Sequence, residues 1–414
     1  MVKLLKKFFI FLLIILFIMA FSNSYSTSNI DNLAYVLALG VDTTPNNTFR
    51  VTFQLSTSAP VSESGSGSGS GSQEKSPNIV NSVEASSLSS ALNLLDGYLA
   101  KEVNLSHCKV FIFSEEVASQ GISNEIYTLI NNSQVRPSAK IIVSKCEAKT
   151  YIEQTTPQLE NLVSKYYELI SNSNKYTGYI PNSSVGDFFG ALSSKDGQPY
   201  AILGGLNNTN TNLGSSNNNI QKDANIIANN TTIQGENGSE NMGLAVFKGD
   251  RLVGELNALE TLSFLAIKNE IKSFLVSIPD PTNEENIIDI HFTPYISHSI
   301  EVDTSTSSPH IKINAKFTGK VYSATDNSDY LSSETFNTLS DSCNKYLEST
   351  FSSLLYKTAK EYNSDIFSFG RYALPNFKTT NEWNDYKWLD NYKNAFFDVN
   401  IKTYITSGML IVEG

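Results

Sequence analysis

The chain is short of cysteine, of charge and of the residue patterns on which most catalysis rests. Only three cysteines occur in 414 residues, at Cys108, Cys146 and Cys343. None stands at C-x-x-C spacing, so neither a disulfide framework nor a cysteine-based metal knuckle is expected to hold this fold together. Charged residues make up 17%, with 30 Lys+Arg against 41 Asp+Glu and a net charge of −11. Phosphate binding needs clustered Lys and Arg, so nucleic acid is excluded as the expected partner. The four histidines, His107, His291, His298 and His310, include no H-E-x-x-H pair. A phosphate-cradling G-x-x-x-x-G-K and a G-x-S-x-G nucleophile elbow are missing too. The sequence therefore points to no catalytic residue, no metal and no cofactor.

What is present is apolar and aromatic material enough for a core. With 40% hydrophobic and 11% aromatic residues, the chain is neither disordered, nor collagenous, nor a polytopic membrane protein. One long apolar run exists, Phe8 to Phe21, preceded by Lys3, Lys6 and Lys7 and followed by Ser and Asn. That order is the pattern of a secretory leader. Its 14 residues fall short of the roughly 20 a spanning helix needs, which favours a cleaved signal peptide over residues 1–22 and leaves retention as an N-terminal anchor open. Beyond Ser22 the balance is 27 basic against 41 acidic side chains, a net charge of −14.

Low-complexity stretches divide the rest. Ser62 to Ser72 is a Gly/Ser tract with the composition of a flexible loop. Residues 206–241, rich in Asn, Thr, Ser and Gly, read as a linker between domains at 29–205 and 242–414. Before the linker, Leu33–Val41 and Phe49–Leu55 suit a hairpin, and Leu88, Leu92, Leu95 and Leu99 recur at helical spacing. Lys109–Phe113 and Ala139–Val143 read as strands around a helix, Glu125–Ile130, and a further helix is expected over Leu159–Ile170. After the linker, Leu244–Phe247 and Arg251–Leu256 flank Lys248-Gly249-Asp250, a hairpin signal, with a helix expected over Glu260–Phe274. Ile287–Phe292, His310–Val321 and Phe397–Ile405 read as strands. Phe336, Leu339, Cys343, Leu347, Phe351, Leu354, Thr358 and Tyr362 at steps of three or four predict a long amphipathic helix. The fold class expected is α/β with mixed sheets, in several domains: an N-terminal α/β unit and a C-terminal sheet packed by that helix.

Individual residues invite chemistry and answer better to packing. His107 and Cys108 are adjacent, but neighbours on a strand face opposite ways and cannot exchange a proton. Gly40, Asp42, His107 and Gly254 read as buried fold determinants. The two glycines would allow a bulge or close backbone approach, and Asp42 would brace the turn that follows it. Trp383 and Trp388, with Phe377 and Phe396, suit core packing; they are also the first candidates for a partly exposed patch that a partner covers.

Four segments together resemble one family, the Ger(x)C proteins, C subunits of bacterial spore germinant receptors. They are Asp31-Asn-Leu-Ala-Tyr-Val-Leu-Ala-Leu-Gly-Val-Asp42 with Phe49-Arg-Val-Thr-Phe-Gln54; Leu105-Ser-His-Cys-Lys-Val-Phe-Ile-Phe-Ser-Glu-Glu-Val-Ala-Ser-Gln-Gly-Ile122; Gly243 to Gly254; and Asp365-Ile-Phe-Ser-Phe-Gly370. They occur in family order. The resemblance implies a non-catalytic subunit on the outer face of the spore inner membrane, working with polytopic A and B type receptor subunits in nutrient-triggered germination. Most members look like lipoproteins; here Ser24 stands at the lipobox cysteine position, so no lipid can be attached there. A secreted or surface-attached solute- or wall-binding module would share the leader, the acidity and the α/β content.

Overall fold

The structure is a computed structural model, and it describes residues 2–21, 32–46, 48–56, 78–207, 226–281, 286–294, 298–324 and 333–407. Ser24 and the Gly/Ser tract lie outside the described residues. Helix α1 runs Val2–Phe21. Among the described residues no helix is long and apolar enough to cross a membrane.

Two sheets organise the rest. The first contains β1 (Leu33–Thr43), β2 (Phe49–Ser56), β3 (Asn78–Ala85), β4 (Glu102–Asn104), β5 (Val110–Ser114), β6 (Lys140–Ser144), β7 (Tyr200–Leu206), β8 (Ser239–Lys248) and β9 (Arg251–Leu256). Their order is β3-β2-β1-β5-β6-β7-β8-β9, with β4 added beside β1. β1, β5, β6 and β7 run parallel, which requires crossover helices. These are α2 (Leu88–Leu99), α3 (Glu115–Gln120), α4 (Ser123–Asn131), α5 (Ala148–Gln154), α6 (Val163–Leu169) and α7 (Val185–Ser193). α2 opens on a side-chain cap: the Ser87 hydroxyl accepts from the Ser90 N–H at 3.2 Å. The helix expected over Leu159–Ile170 begins only at Val163.

Helices cover this sheet on both faces, so its central strands are apolar without a break. All of Val110–Ser114 is buried. Phe111 and Phe113 enter one core with α2, α3, α4 and α7, while Val110 and Ile112 enter the other with α5 and α6. Such a strand has no wet side to alternate with.

The second sheet holds β10 (Phe274–Pro279), β11 (Ile287–Pro294), β12 (Ser299–Asp303), β13 (His310–Ala324) and β14 (Phe396–Ser407). Helices α8 (Ala258–Ile267) and α9 (Ser333–Tyr356) pack with it. The long helix is where the periodicity puts it, with Leu339, Cys343, Leu347, Phe351 and Leu354 buried. It gives way to a π-helical turn over Lys357–Glu361. α8 stops at Ile267 and Phe274 already belongs to a strand. The helix expected through Phe274 is thus too long at its C-terminal end.

The linker does not separate two sheets. β7 pairs antiparallel with β8, with Leu206 opposite Ser239, so the described strands on either side of the Asn-rich stretch belong to the same sheet. Along β8, Ala245 and Phe247 join the core of the first sheet, while Leu244 and Val246 join that of the second. The period-two alternation of one strand feeds two cores.

Candidate functional site

Apart from His107, the sequence candidates gather at two places, the carboxyl ends of the parallel strands and the junction between the sheets. At the first, Gly40 lets α5 lie against β1: a Cβ there would sit 2.9 Å from Ile152 Cδ1 and 3.0 Å from Ala148 Cβ. Two residues on, the Asp42 carboxylate accepts from the N–H groups of Ala148 at 2.6 Å and Lys149 at 3.0 Å. Burial pushes its pKa up, and those two donors and Arg50 pull the other way. Asp42 therefore caps a helix remote in sequence, rather than bracing the turn after it; Thr44 closes that turn onto the Thr48 carbonyl. Gln54, from the same resembling segment, accepts the Tyr167 hydroxyl at 3.0 Å and ties β2 to α6. A cleft of about 600 Å³ opens beside Asp42, lined by Ser114, Glu115, Glu116, Lys145 and Cys146.

His107 lies in the turn between β4 and β5 and is exposed, its ring edge-on to Tyr35 at 4.6 Å. Reading it as buried is therefore corrected. The turn throws the imidazole outward while Cys108 goes in, its thiol donating to the Val110 carbonyl. Burial raises the Cys108 pKa to about 12, so the thiol is inert at neutral pH.

The junction is built on Asp365-Ile-Phe-Ser-Phe-Gly370. The buried Asp365 carboxylate accepts from the Trp388 indole Nε1 at 2.8 Å and from the N–H groups of Phe369 and Gly370, each at 3.1 Å. Burial lifts its pKa to about 6 against those three donors. Its backbone carbonyl receives the Gln198 N–H at 2.8 Å, and the neighbouring Ser364 hydroxyl donates to Phe247 O on β8 at 2.5 Å. Gly254 on β9 is half-buried, and a Cβ there would run into the ring of Tyr362, whose hydroxyl donates to Glu255 O at 3.0 Å. Ion pairs flank this seam inside each half: Lys145 to Glu255 within the first sheet at 2.6 Å, and Lys357 to Glu260 between the π-helical turn and α8 at 2.7 Å.

Trp383 and Trp388 are 7% and 2% exposed. The two rings stack at 6.2 Å. They are core residues, and the expectation of an exposed partner-binding patch at these positions is withdrawn. The withdrawal applies to the tryptophans: Phe377 packs against the same core, whereas Phe396 is 57% exposed.

A cleft of about 540 Å³ borders the junction, lined among others by Asp187, Gln198, Tyr200, Lys268, Glu270 and Arg371. Lys268 reaches Glu270 at 2.9 Å and lies over the Tyr200 ring at 5.1 Å. Sequence reasoning passed over Gln198 and Lys268, and quoted Asp365 within a resembling segment without giving it a task. Asp365 carries one visible signal, a lone carboxylate opening an apolar run; the others are brought together only by topology. Among the described residues no group of three or more His, Cys, Asp or Glu could hold a metal ion.

Residues 26–204 match the family described as Spore germination protein N-terminal domain, and residues 242–408 match Spore germination B3/GerAC like, C-terminal. The chain belongs to the Ger(x)C family. The Bacillus subtilis (strain 168) protein YfkR, named for spore germination, is 25% identical over 214 residues, 50% of this chain. The chain spans about half (48%) of the length of that relative. Among solved structures, the crystal structure of the GerBC protein is similar at 16% identity and a TM-score of 0.48, covering 89% of this chain and 96% of that one. Within this Ger(x)C chain, the first resembling segment sits where helix α5 is docked and the last two where the sheets are joined, while Leu105–Ile122 forms the β4–β5 turn, β5 and α3.

Proposed function

We propose that the protein is the non-catalytic C subunit of a spore germinant receptor, required for assembly or signalling in nutrient-triggered germination. It would stand outside the cytoplasmic membrane, on the outer face of the spore inner membrane, beside polytopic A and B type subunits. The observation that carries this reading is the ordered match of both family domains, which together leave little of residues 26–408 outside. The structural work done by the candidate residues supports it. Asp42, Asp365, Gly40 and Gly254 are all occupied in docking helices and joining sheets, the task of a scaffold. The leader gives the route out of the cytoplasm. In α1 the side chains of Leu4, Leu5, Phe8 to Ile14 and Phe17 are exposed, an apolar surface suited to a signal segment or a membrane anchor.

The test is affinity purification of the tagged protein from crosslinked spore membranes, followed by identification of its companions and of its own N-terminal peptide. Recovery of polytopic receptor subunits is the expected result. Recovery of soluble wall components alone, from spores that express the receptor, would replace the receptor reading by a solute- or wall-binding module.

A further inference from the structure

Among the described residues the second sheet is covered on one side only. α9 lies on one face, where Phe351 meets Phe317 at 6.4 Å between ring centroids. On the other face the alternate residues of the strands are open. β13 presents Lys316, Lys320 and Tyr322 there, and β14 presents Lys402 and Tyr404, between neighbours that are buried. The register sets Lys316 directly opposite Lys402, and Lys320 opposite both Thr406 of β14 and His291 of β11. Tyr322 is 75% exposed and Tyr404 51%.

This face is unlike the rest of an acidic chain. Lys316, Lys320 and Lys402 make no ion pair among the described residues. The acids that share the face sit away from them. Asp398 and Glu301 are both opposite Lys312 and Asp303 is opposite His310, while Asp289 is taken up by the hydroxyls of Ser277 at 2.6 Å and Ser323 at 2.5 Å. Two lysines directly across a ladder repel, an arrangement that weakens the sheet unless an anion stands in front of them. Tyrosines with an apolar ring and a polar tip are the side chains that settle at the level of lipid headgroups.

We propose that the open face of the second sheet docks on anionic lipid headgroups, with Lys316, Lys320 and Lys402 against phosphates and Tyr322 and Tyr404 at interfacial depth. The inference rests on the membrane-associated reading above and gives it an orientation: the second sheet faces the bilayer and the first stands away from it.

The experiment uses the full chain with vesicles of phosphatidylcholine alone or containing phosphatidylglycerol, comparing wild type with Lys316→Gln/Lys320→Gln/Lys402→Gln. Lys320 and Lys402 are exposed and Lys316 half-buried, and their replacement relieves the repulsion, so the thermal midpoint should not fall; circular dichroism checks it. Three lysines at an anionic surface strengthen binding on the order of a hundredfold; α1 contributes to both lipids and sets the floor. The expected result is at least a tenfold loss on phosphatidylglycerol vesicles, with binding to phosphatidylcholine unchanged. Tyr322→Trp supplies a second readout, because the native tryptophans are buried: brominated lipid should quench the introduced indole. Equal binding by both proteins, with an unquenched indole, would overturn the proposal. So would unchanged vesicle binding combined with loss of a co-purifying membrane protein, which would give the face to an acidic protein partner. Neither outcome touches the receptor reading, which stands or falls on what is recovered from spore membranes.

Discussion

The two sheets solve burial in opposite ways. The first is mixed, with a parallel centre and helices on both faces, and every residue of β5 is inside. The second has one dry face and one wet face, so β13 alternates Ile311, Ile313, Ala315 and Phe317 with Lys and Thr. A two-faced sheet cannot meet solvent except at its strand ends and edges. A one-faced sheet offers a whole surface to something else. Edges are managed too: the N–H groups of Ile401 and Thr403 on β14 donate to Glu348 and Asn344 of α9 at 2.9 and 2.7 Å. A helix laid along the strand thus blocks further pairing there.

The largest effect should come from breaking the joint between the sheets. Asp365→Ala strands three buried N–H donors, each costing about 1–3 kcal/mol, and the expected loss is about 5 kcal/mol. Chemical denaturation would show it, and a loss under 1 kcal/mol would mean the two halves do not depend on this contact. One-sidedness of the second sheet is tested next. Phe351→Ala, on the dry face, should cost roughly 4 kcal/mol, while Tyr322→Ala, on the wet face, should stay within about 0.5 kcal/mol. Equal losses would contradict the division into faces.

Legibility in the sequence followed the same division. The alternation of His310–Val321 and the heptad-like stripe from Phe336 to Leu354 are periodic signals, and a one-faced sheet with its helix is built from such signals. The hairpin at Lys248-Gly249-Asp250 was legible from its turn, and Gly249 has φ +60°. What the sequence concealed is where that hairpin goes. Leu244–Phe247 is buried on both faces and so reads as a plain apolar run; its partner, Tyr200–Leu206, lies on the other side of a polar stretch that looks like a boundary. Asp42 and Asp365 stood in plain view as residues of resembling segments, but their tasks depend on donors that folding supplies. His107 was misjudged because the segment reads as a strand, whereas the chain turns at Ser106 and His107 between the buried Leu105 and Cys108.

The joint should also respond to pH. Asp365 has its pKa raised to about 6 from an ordinary 3.8, with burial the largest cause. Between those values the native state holds a proton that the unfolded chain has released. Its stabilising contribution is therefore complete below about pH 4 and declines as pH rises through about 6, by up to roughly 3 kcal/mol. Thermal midpoints across pH 4–7 would show a downward slope attributable to this group, and Asp365→Asn should remove that part of it. A slope identical in the variant would assign the titration elsewhere.

The smallest effect concerns the first sheet alone. α5 has no side-chain cap of its own, since Glu147 at its N-cap makes no such bond, and Asp42 supplies the acceptor from β1 instead. Asp42→Ala should cost about 1–2 kcal/mol, the usual size of a lost helix cap. Asp42→Asn keeps one acceptor oxygen at the same place and should recover about half of that. Hydrogen exchange distinguishes this from a general weakening. The N–H groups of Ala148 and Lys149 should lose protection in Asp42→Ala while β13 and β14 keep theirs, because α5 packs in a core built on the first sheet. Loss of protection in both sheets would show that β8, which serves two cores, couples them more tightly than separate one-faced and two-faced sheets would require.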